Sequence, residues 1–340
     1  MSSPTVTVVT PTHQRRESLA RVLEGLARQD CPEGFFSVVV VCDGCTDGTP
    51  QMLRRTSYPF PIQVIELRDS CGPAAARNQA LRVVTAPVIL FLDDDVVPAS
   101  RLVRVHAERH AGHHDLVVIG PLLPPAERQQ PWITWEAETL RRQYEEMASL
   151  RWAPSPRQFY TGNASVRRDQ VVRAGGFNPA FRRNEDVDLA LRLQRHGLRF
   201  VFEPSAGATH YARRSFGTWA RAAREYGRTE VAFGPVWGSR RLVDVKADEF
   251  QARHPLVRRV VLAGLSMQQW IPMLVGLGRV AGRVLSWSRL WPLARGAYTS
   301  VFELEYWSGV DSALSRPERA FDLLDIRRRS TRARGAPASR

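Results

Sequence analysis

The chain has almost no lysine. Lys246 is the single one among 48 Lys and Arg residues, against 34 Asp and Glu, so a net charge of +14 and a pI near 10.7 rest on arginine. Such a surface attracts phosphate, whether in nucleic acid, anionic lipid headgroups or nucleotides, and does not by itself choose among them. Cysteine is scarce too: Cys31, Cys42, Cys45 and Cys71 are too few and too irregularly spaced for a secreted disulfide scaffold. The first ten residues lack the basic start and long apolar stretch of a secretory signal. The expectation is a cytoplasmic protein with reduced thiols. No internal repeat is present, and 44% hydrophobic with 24% charged residues describes a folded chain. Its 340 residues leave room for one large α/β domain with an appendage, or for two modest domains.

The first half alternates short apolar runs with amphipathic stretches. Strands are predicted at residues 5–10, 37–41, 62–67, 88–92 and 116–119, and helices at 17–29, 51–55, 74–84 and 101–110. Continuous apolar strands, each followed by a helix, indicate a parallel sheet covered on both faces. Ligands of such sheets bind beyond the carboxyl ends of the strands, which directs attention to the residues after Thr10, Val41 and Leu92. Residues 124–158 read as an insertion near the site with a helix around 136–150. A strand, a helix over 187–196 and a strand over 199–202 follow.

The last third differs. Residues 216–250 look helical and basic, and the uncharged run 260–278 is borderline in length for a membrane span. Gln268, Gln269 and Pro272 interrupt it, so a surface-lying or re-entrant membrane element, a buried helix and a true span all stay open. Interleaved Arg283, Trp287, Arg289, Trp291 and Arg295 favour a membrane interface. Residues 327–340 read as a basic disordered tail.

Two acidic groups carry the chemistry. Asp93-Asp94-Asp95 directly follows the strand 88–92, and adjacent carboxylates are held together where a cation or many donors offset their repulsion. On an extended strand end the first and third would share a direction and reach one divalent ion with its bound phosphates. The alternative is a solvated turn or a helix cap, with Pro98 starting a helix. Glu185-Asp186-Val-Asp188 precedes an amphipathic helix. Helix capping explains one such carboxylate, and Asn184 already offers a capping side chain, which leaves the acids for acid/base work.

Val9-Thr-Pro-Thr-His-Gln-Arg15, Cys42-Asp-Gly-Cys-Thr-Asp-Gly-Thr49, Gly72-Pro-Ala-Ala-Ala-Arg-Asn78, Phe91-Leu-Asp-Asp-Asp95 and Gly175-Gly-Phe-Asn, with Asn184-Glu-Asp-Val-Asp-Leu189 and Arg192-Leu193, occur in that order. Together they resemble the glycosyltransferase family 2 pattern over about residues 5–215. The resemblance implies an α/β GT-A fold and an inverting transfer from a UDP-, GDP- or dTDP-linked sugar, with Mg²⁺ or Mn²⁺ as cofactor. It implies that Thr10 and Pro11 edge the nucleotide pocket, that Asp43 accepts a hydrogen bond from the base, and that Arg77 binds the nucleotide. Asp93 and Asp94 would lie near ribose and donor sugar, and Asp95 would be the main metal ligand, joined by Asp93 and His210. Asp186 would be the catalytic base, while Gly162, Asn163, Ala164 and Glu185 would line the donor–acceptor junction.

Cys42-Asp43-Gly44-Cys45 stands where the family commonly has Asp-Asp-Gly-Ser. The Cys-x-x-Cys so created has neither a second pair with zinc spacing nor a thioredoxin pattern around it. The Gln-x-x-Arg-Trp motif of processive synthases is absent, which favours one sugar per binding event. Nucleic-acid binding lacks any helix-turn-helix, finger or RNP pattern. A nucleotidyltransferase would carry a Gly-rich basic loop where Pro11-Thr-His-Gln14 stands, and a catalytically dead binding relative would not need both Asp95 and Asp186. The expected organisation is a catalytic domain over 1–215, a helical region over 216–326 and the tail. Its partners would be a nucleotide sugar and a lipid-linked or glycan acceptor of cell-envelope synthesis, with peripheral contact at the inner face of the cytoplasmic membrane and no nucleic acid.

Overall fold

The computed structural model describes residues 5–181, 183–237, 241–314 and 319–324; the tail expected at 327–340 lies outside the described residues. The chain divides into two compact units, residues 1–128 with 136–212, and residues 129–135 with 213–340. An uninterrupted first domain over 1–215 was expected. Residues 129–135 instead fold with the second unit, because Trp132 packs on Phe216 and Trp135 on Trp219 and Phe302.

The first unit opens with β1 (Val6–Thr12), α1 (Arg16–Ala27), β2 (Phe36–Asp43), α2 (Thr49–Arg55) and β3 (Ile62–Leu67). It continues with α3 (Pro73–Leu81), β4 (Val88–Leu92), β5 (Val96–Pro98), α4 (Leu102–His110), β6 (Leu116–Ile119) and β7 (Leu122–Leu123). After α5 (Pro131–Ala148), which begins in the second unit, come β8 (Asn163–Arg167), α6 (Arg168–Arg173), α7 (Glu185–Arg195), β9 (Arg199–Phe202) and β10 (Ala208–His210). Seven strands form the main sheet in the order β3-β2-β1-β4-β8-β6-β9, with β8 antiparallel to both neighbours and the other pairs parallel. A small second sheet runs β5-β10-β7.

β-branched and aromatic residues account for this sheet. β4 is an unbroken Val-Ile-Leu-Phe-Leu run, buried on both faces as a central strand must be. Phe91 meets Phe159 and Phe177 edge-on, and burying such a ring contributes roughly 2–3 kcal/mol. In α1, Leu19, Val22, Leu23 and Leu26 recur at helical spacing and form the buried face.

The second unit is helical: α8 (Phe216–Trp237), α9 (Arg241–Gln251), α10 (Pro255–Ser266), α11 (Ile271–Trp287) and α12 (Trp291–Ala313). Its core gathers Phe250, Val261, Leu265, Leu304, Trp307 and Val310. Helices α8 and α12 cross where Gly227 and Gly309 stand. A Cβ on Gly227 would fall 2.0 Å from the Tyr306 carbonyl oxygen, and one on Gly309 would fall 1.9 Å from that of Arg224. Only glycine permits backbones this close. No single helix among the described residues is long and apolar enough to cross a membrane; α10 and the segment 268–287 qualify only as a pair, bent by 112°.

Candidate active site

Strand β1 is flanked by β2 on one side and β4 on the other, so the chain winds outward in both directions from that pair. A crevice forms beyond the carboxyl ends of strands at such a switch point. Thr10 and Pro11 close β1 there, Asp43 closes β2, and the three aspartates follow β4.

Those aspartates do not continue the strand. They form a tight turn closed by the Val96 N–H on the Asp93 carbonyl, 3.1 Å, and the chain enters β5 rather than a helix at Pro98. The turn gives Asp93 to Arg77 while Asp94 and Asp95 share Arg15, so the shared partner expected for Asp93 and Asp95 is corrected. Asp93 receives Arg77 Nη2 at 2.8 Å. Asp94 is buried and receives Thr12 Oγ1 at 2.7 Å and Arg15 Nη1 at 2.9 Å. Burial pushes its carboxyl up to about 6 although Arg15 opposes the shift. Asp95 also receives Arg15 Nη1, at 2.8 Å, and its other oxygen lies 3.5 Å from His210 Nε2. His210 reaches it because β10 pairs with β5 in the register His210–Val96, with the Tyr211 N–H on the Asp95 carbonyl at 2.8 Å.

The second acidic group lies across one guanidinium. Arg77, buried in α3, donates through Nη1 to Glu185 Oε1 at 2.9 Å while Nη2 holds Asp93, and it stacks over the Phe177 ring at 5.5 Å. Arg77 thus ties the end of β4 to the start of α7. Asn78 anchors the loop before α7 to α3, exchanging two hydrogen bonds with the backbone of Phe177. Arg192 anchors the same loop from α7 itself, reaching Asp188 and the Ala174 and Gly176 carbonyls. Asn184 supplies no capping bond from its side chain; it sits at φ 57°, and the first turn of α7 is served by Asp186 Oδ1, which accepts the Val187 N–H at 2.8 Å. Asp186 is half-buried. Desolvation, reinforced by Glu185 and opposed by Arg77, raises its carboxyl to about 7.

The other expected residues divide. Gly162 abuts the cluster, since a Cβ there would stand 3.1 Å from Asp93 Oδ2. Asn163 and Ala164, expected at the donor–acceptor junction, are instead fully buried in β8. Ala164 pairs with Phe91 and Ile119, and the Asn163 amide bonds the Pro121 and Ala206 carbonyls and His106 Nε2. Asp43 has both oxygens taken, by the Cys71 and Gly72 N–H groups and the Ser70 hydroxyl. Burial works against its ionisation, but those hydrogen bonds prevail and hold it below its usual range. Cys42 is buried and pushed up to about 12, far from a reactive thiolate. Thr10 Oγ1 and Arg77 Nε are buried without a hydrogen-bond partner among the described residues, as groups awaiting a ligand or water are.

Sequence reasoning missed Arg15, the shared partner of Asp94 and Asp95, and the buried His106–Ser165–His110 network beside Asn163. The i, i+4 histidines of α4 were the available signal. Burial lowers both imidazoles to about 4 and keeps them neutral. No group of three or more His, Cys, Asp or Glu among the described residues converges as a metal site.

The mostly parallel sheet, the aspartate turn after its central strand and the helical continuation define the first unit as a GT-A fold. A mannosyltransferase of Pyrobaculum calidifontis, solved in complex with GDP-Man and Mn²⁺, superposes with a TM-score of 0.58 over 88% of this chain and 86% of that one, at 20% identity. The family model for glycosyl transferase family 2 matches residues 7–176, and the chain belongs to that family. An uncharacterised glycosyltransferase of Bacillus subtilis is 28% identical over 252 residues, 60% of this chain and 64% of that protein. The pre-mycofactocin glycosyltransferase of Mycobacterium tuberculosis is 28% identical over 291 residues, 83% of this chain and 55% of that protein. The chain therefore spans between about half and two thirds of these relatives' lengths.

Proposed function

We propose that the protein transfers a single sugar, with inversion, from a nucleoside-diphosphate sugar to an acceptor hydroxyl. The observation that carries this reading is the bridge Asp93–Arg77–Glu185, which sets Asp186, the carboxylate raised toward neutrality, across one guanidinium from the strand-end aspartates. In this reading Asp186 takes the acceptor hydroxyl's proton as that oxygen attacks the anomeric carbon from the face opposite the nucleotide. An acid near 7 is a stronger base than an ordinary carboxylate and is still substantially ionised at neutral pH. Arg77 holds both sides of the crevice at fixed separation, so acceptor and donor meet in line.

Asp95 and His210 offer one hard oxygen and one imidazole nitrogen 3.5 Å apart. That set fits Mg²⁺ or Mn²⁺, which commonly complete their coordination with substrate phosphates and water rather than with a full protein cage. Asp93, engaged by Arg77, would not join them in this arrangement. Bound there, such an ion supplies compensation for the charge developing on the departing nucleoside diphosphate. Thr10 and Pro11 edge the nucleotide, and Asp43 serves it indirectly, by ordering the Ser70–Gly72 loop. The acceptor in this reading is a lipid-linked or glycan alcohol of envelope synthesis, handled in the cytoplasm; support comes from the arginine-rich second unit.

The test is a melting-temperature screen of UDP-, GDP- and dTDP-sugars with and without Mn²⁺, on the parent and on Asp95→Ala. One donor should stabilise the parent by about 2.7 kcal/mol at a hundred times its Kd, only with Mn²⁺, and leave Asp95→Ala unshifted. A shift of equal size in both proteins without metal removes the assigned ion site; no shift with any donor removes the whole reading.

A further inference from the structure

Helix α11 presents its large apolar side chains to the outside. Trp270, Met273, Leu277, Val280, Val284 and Trp287 recur at alternating spacings of three and four residues, which aligns them on one face, and they are between 46% and 82% exposed. The opposite face packs inward through Ile271, Leu274 and Val275 and, further along, through two glycines: a Cβ on Gly278 would fall 2.4 Å from Val301, and one on Gly282 would fall 2.6 Å from the Tyr298 ring. The outward stripe is left largely uncovered by the described residues. Leu256, Met267, Leu290 and Leu293 are likewise exposed.

The charge around this stripe has one sign. From Pro255 to Phe302 there is no Asp or Glu, while Arg258, Arg259, Arg279, Arg283, Arg289 and Arg295 lie in the same segment. Arg279 and Arg283 fall on one flank of the stripe; the Arg279 guanidinium stacks on the Phe216 ring at 5.4 Å, while Arg283 is exposed, and such a long side chain lies along apolar surface with its head in a polar layer. Tryptophan stands at each end, the residue suited to the boundary between hydrocarbon and water.

We infer that this face is a docking surface for an anionic lipid bilayer, with α11 lying in the headgroup plane. At 17 residues the helix is about 25 Å long, short of the roughly 30 Å hydrocarbon thickness, and the 112° break before it rules out a continuous span with α10. A buried soluble helix does not expose such a stripe. Self-pairing is disfavoured by charge, because a two-fold contact through the stripe would set arginines against arginines with no acid in the segment to offset them. The inference does not rest on the transfer chemistry and holds for any activity of the first unit.

The test is flotation of the full chain with vesicles of phosphatidylcholine alone or with phosphatidylglycerol added, alongside sedimentation equilibrium without lipid. The parent should float with the anionic vesicles and be released by high salt. Replacing Leu277, Val280 and Val284 together by Gln should weaken vesicle binding more than about tenfold with the melting temperature retained, since these side chains are already exposed. Arg283→Gln with Arg289→Gln should weaken it by roughly fivefold for each charge and only on anionic vesicles. Failure of the parent to float with either vesicle, or unchanged flotation of the triple variant, overturns the inference. A dimer in sedimentation that the triple variant dissolves overturns it as well, and assigns the stripe to a second copy.

Discussion

The two acidic stretches of the first unit look alike in sequence, yet the fold handles them in opposite ways. At the end of β4 each aspartate receives a cation or a neutral donor within hydrogen-bond reach: Arg77 on Asp93, Thr12 with Arg15 on Asp94, Arg15 with the nearby His210 on Asp95. At the start of α7, Glu185 takes the arginine and Asp188 takes Arg192, while no described cation hydrogen-bonds Asp186. Burial raises the carboxyls of both Asp94, to about 6, and Asp186, to about 7; Arg15 and Thr12 oppose the first shift, while the neighbouring Glu185 reinforces the second. The difference lies in the partners, not in the residue type.

Breaking the contrast at its sharpest point should have the largest effect. Asp186→Asn keeps the shape and removes the base: turnover should fall by roughly 10²–10⁴ with the donor dissociation constant unchanged, as read by initial rates and calorimetry. Next comes the shared guanidinium. Arg77→Ala leaves Asp93 and Glu185 buried or half-buried beside each other, and urea unfolding should show a loss of about 3–5 kcal/mol. A third test sharpens the comparison through pH. The folded-state value for Asp186, about 7, lies above an unfolded value of about 3.9, so the folded chain keeps a proton the unfolded chain has already lost. This carboxylate's contribution therefore declines as pH rises from about 4 to 7. Asp186→Asn should melt with the parent at pH 4 and progressively above it up to pH 7, the difference then holding constant in a pH series of melts. An equal difference at every pH would mean that Asp186 is not the group so raised.

Much of the scaffold was legible in the sequence because continuous apolar runs and 3.6-residue periodicity are local signals. The runs at 62–67, 88–92, 116–119 and 199–202 coincide with β3, β4, β6 and β9, and the face of α1 with its leucines. The sequence singled out the two acidic stretches, but not how each acid is held. Arg77 meets Glu185 across 108 positions and Thr12 meets Asp94 across 82, distances over which no periodicity speaks. The same limit hid Arg15 and the burial of Asn163, whose partner His106 lies 57 positions away; the i, i+4 spacing of His106 and His110 was the one local hint. A four-residue turn was enough to give Asp93 and Asp95 different partners where strand geometry would have aligned them. In the second unit the sequence left three fates open for 260–278, and the packing of Ile271, Leu274, Val275, Gly278 and Gly282 into the helical core decides which side faces outward.

The exposed stripe of α11 has a consequence for handling the molecule. Mutual repulsion among strongly basic copies opposes contact between their apolar stripes at low ionic strength. Added salt shortens the reach of that repulsion while leaving hydrophobic attraction intact or strengthened, so the conditions that strip the protein from lipid are also those in which it would self-associate. Solubility and lipid release thus pull the choice of ionic strength in opposite directions.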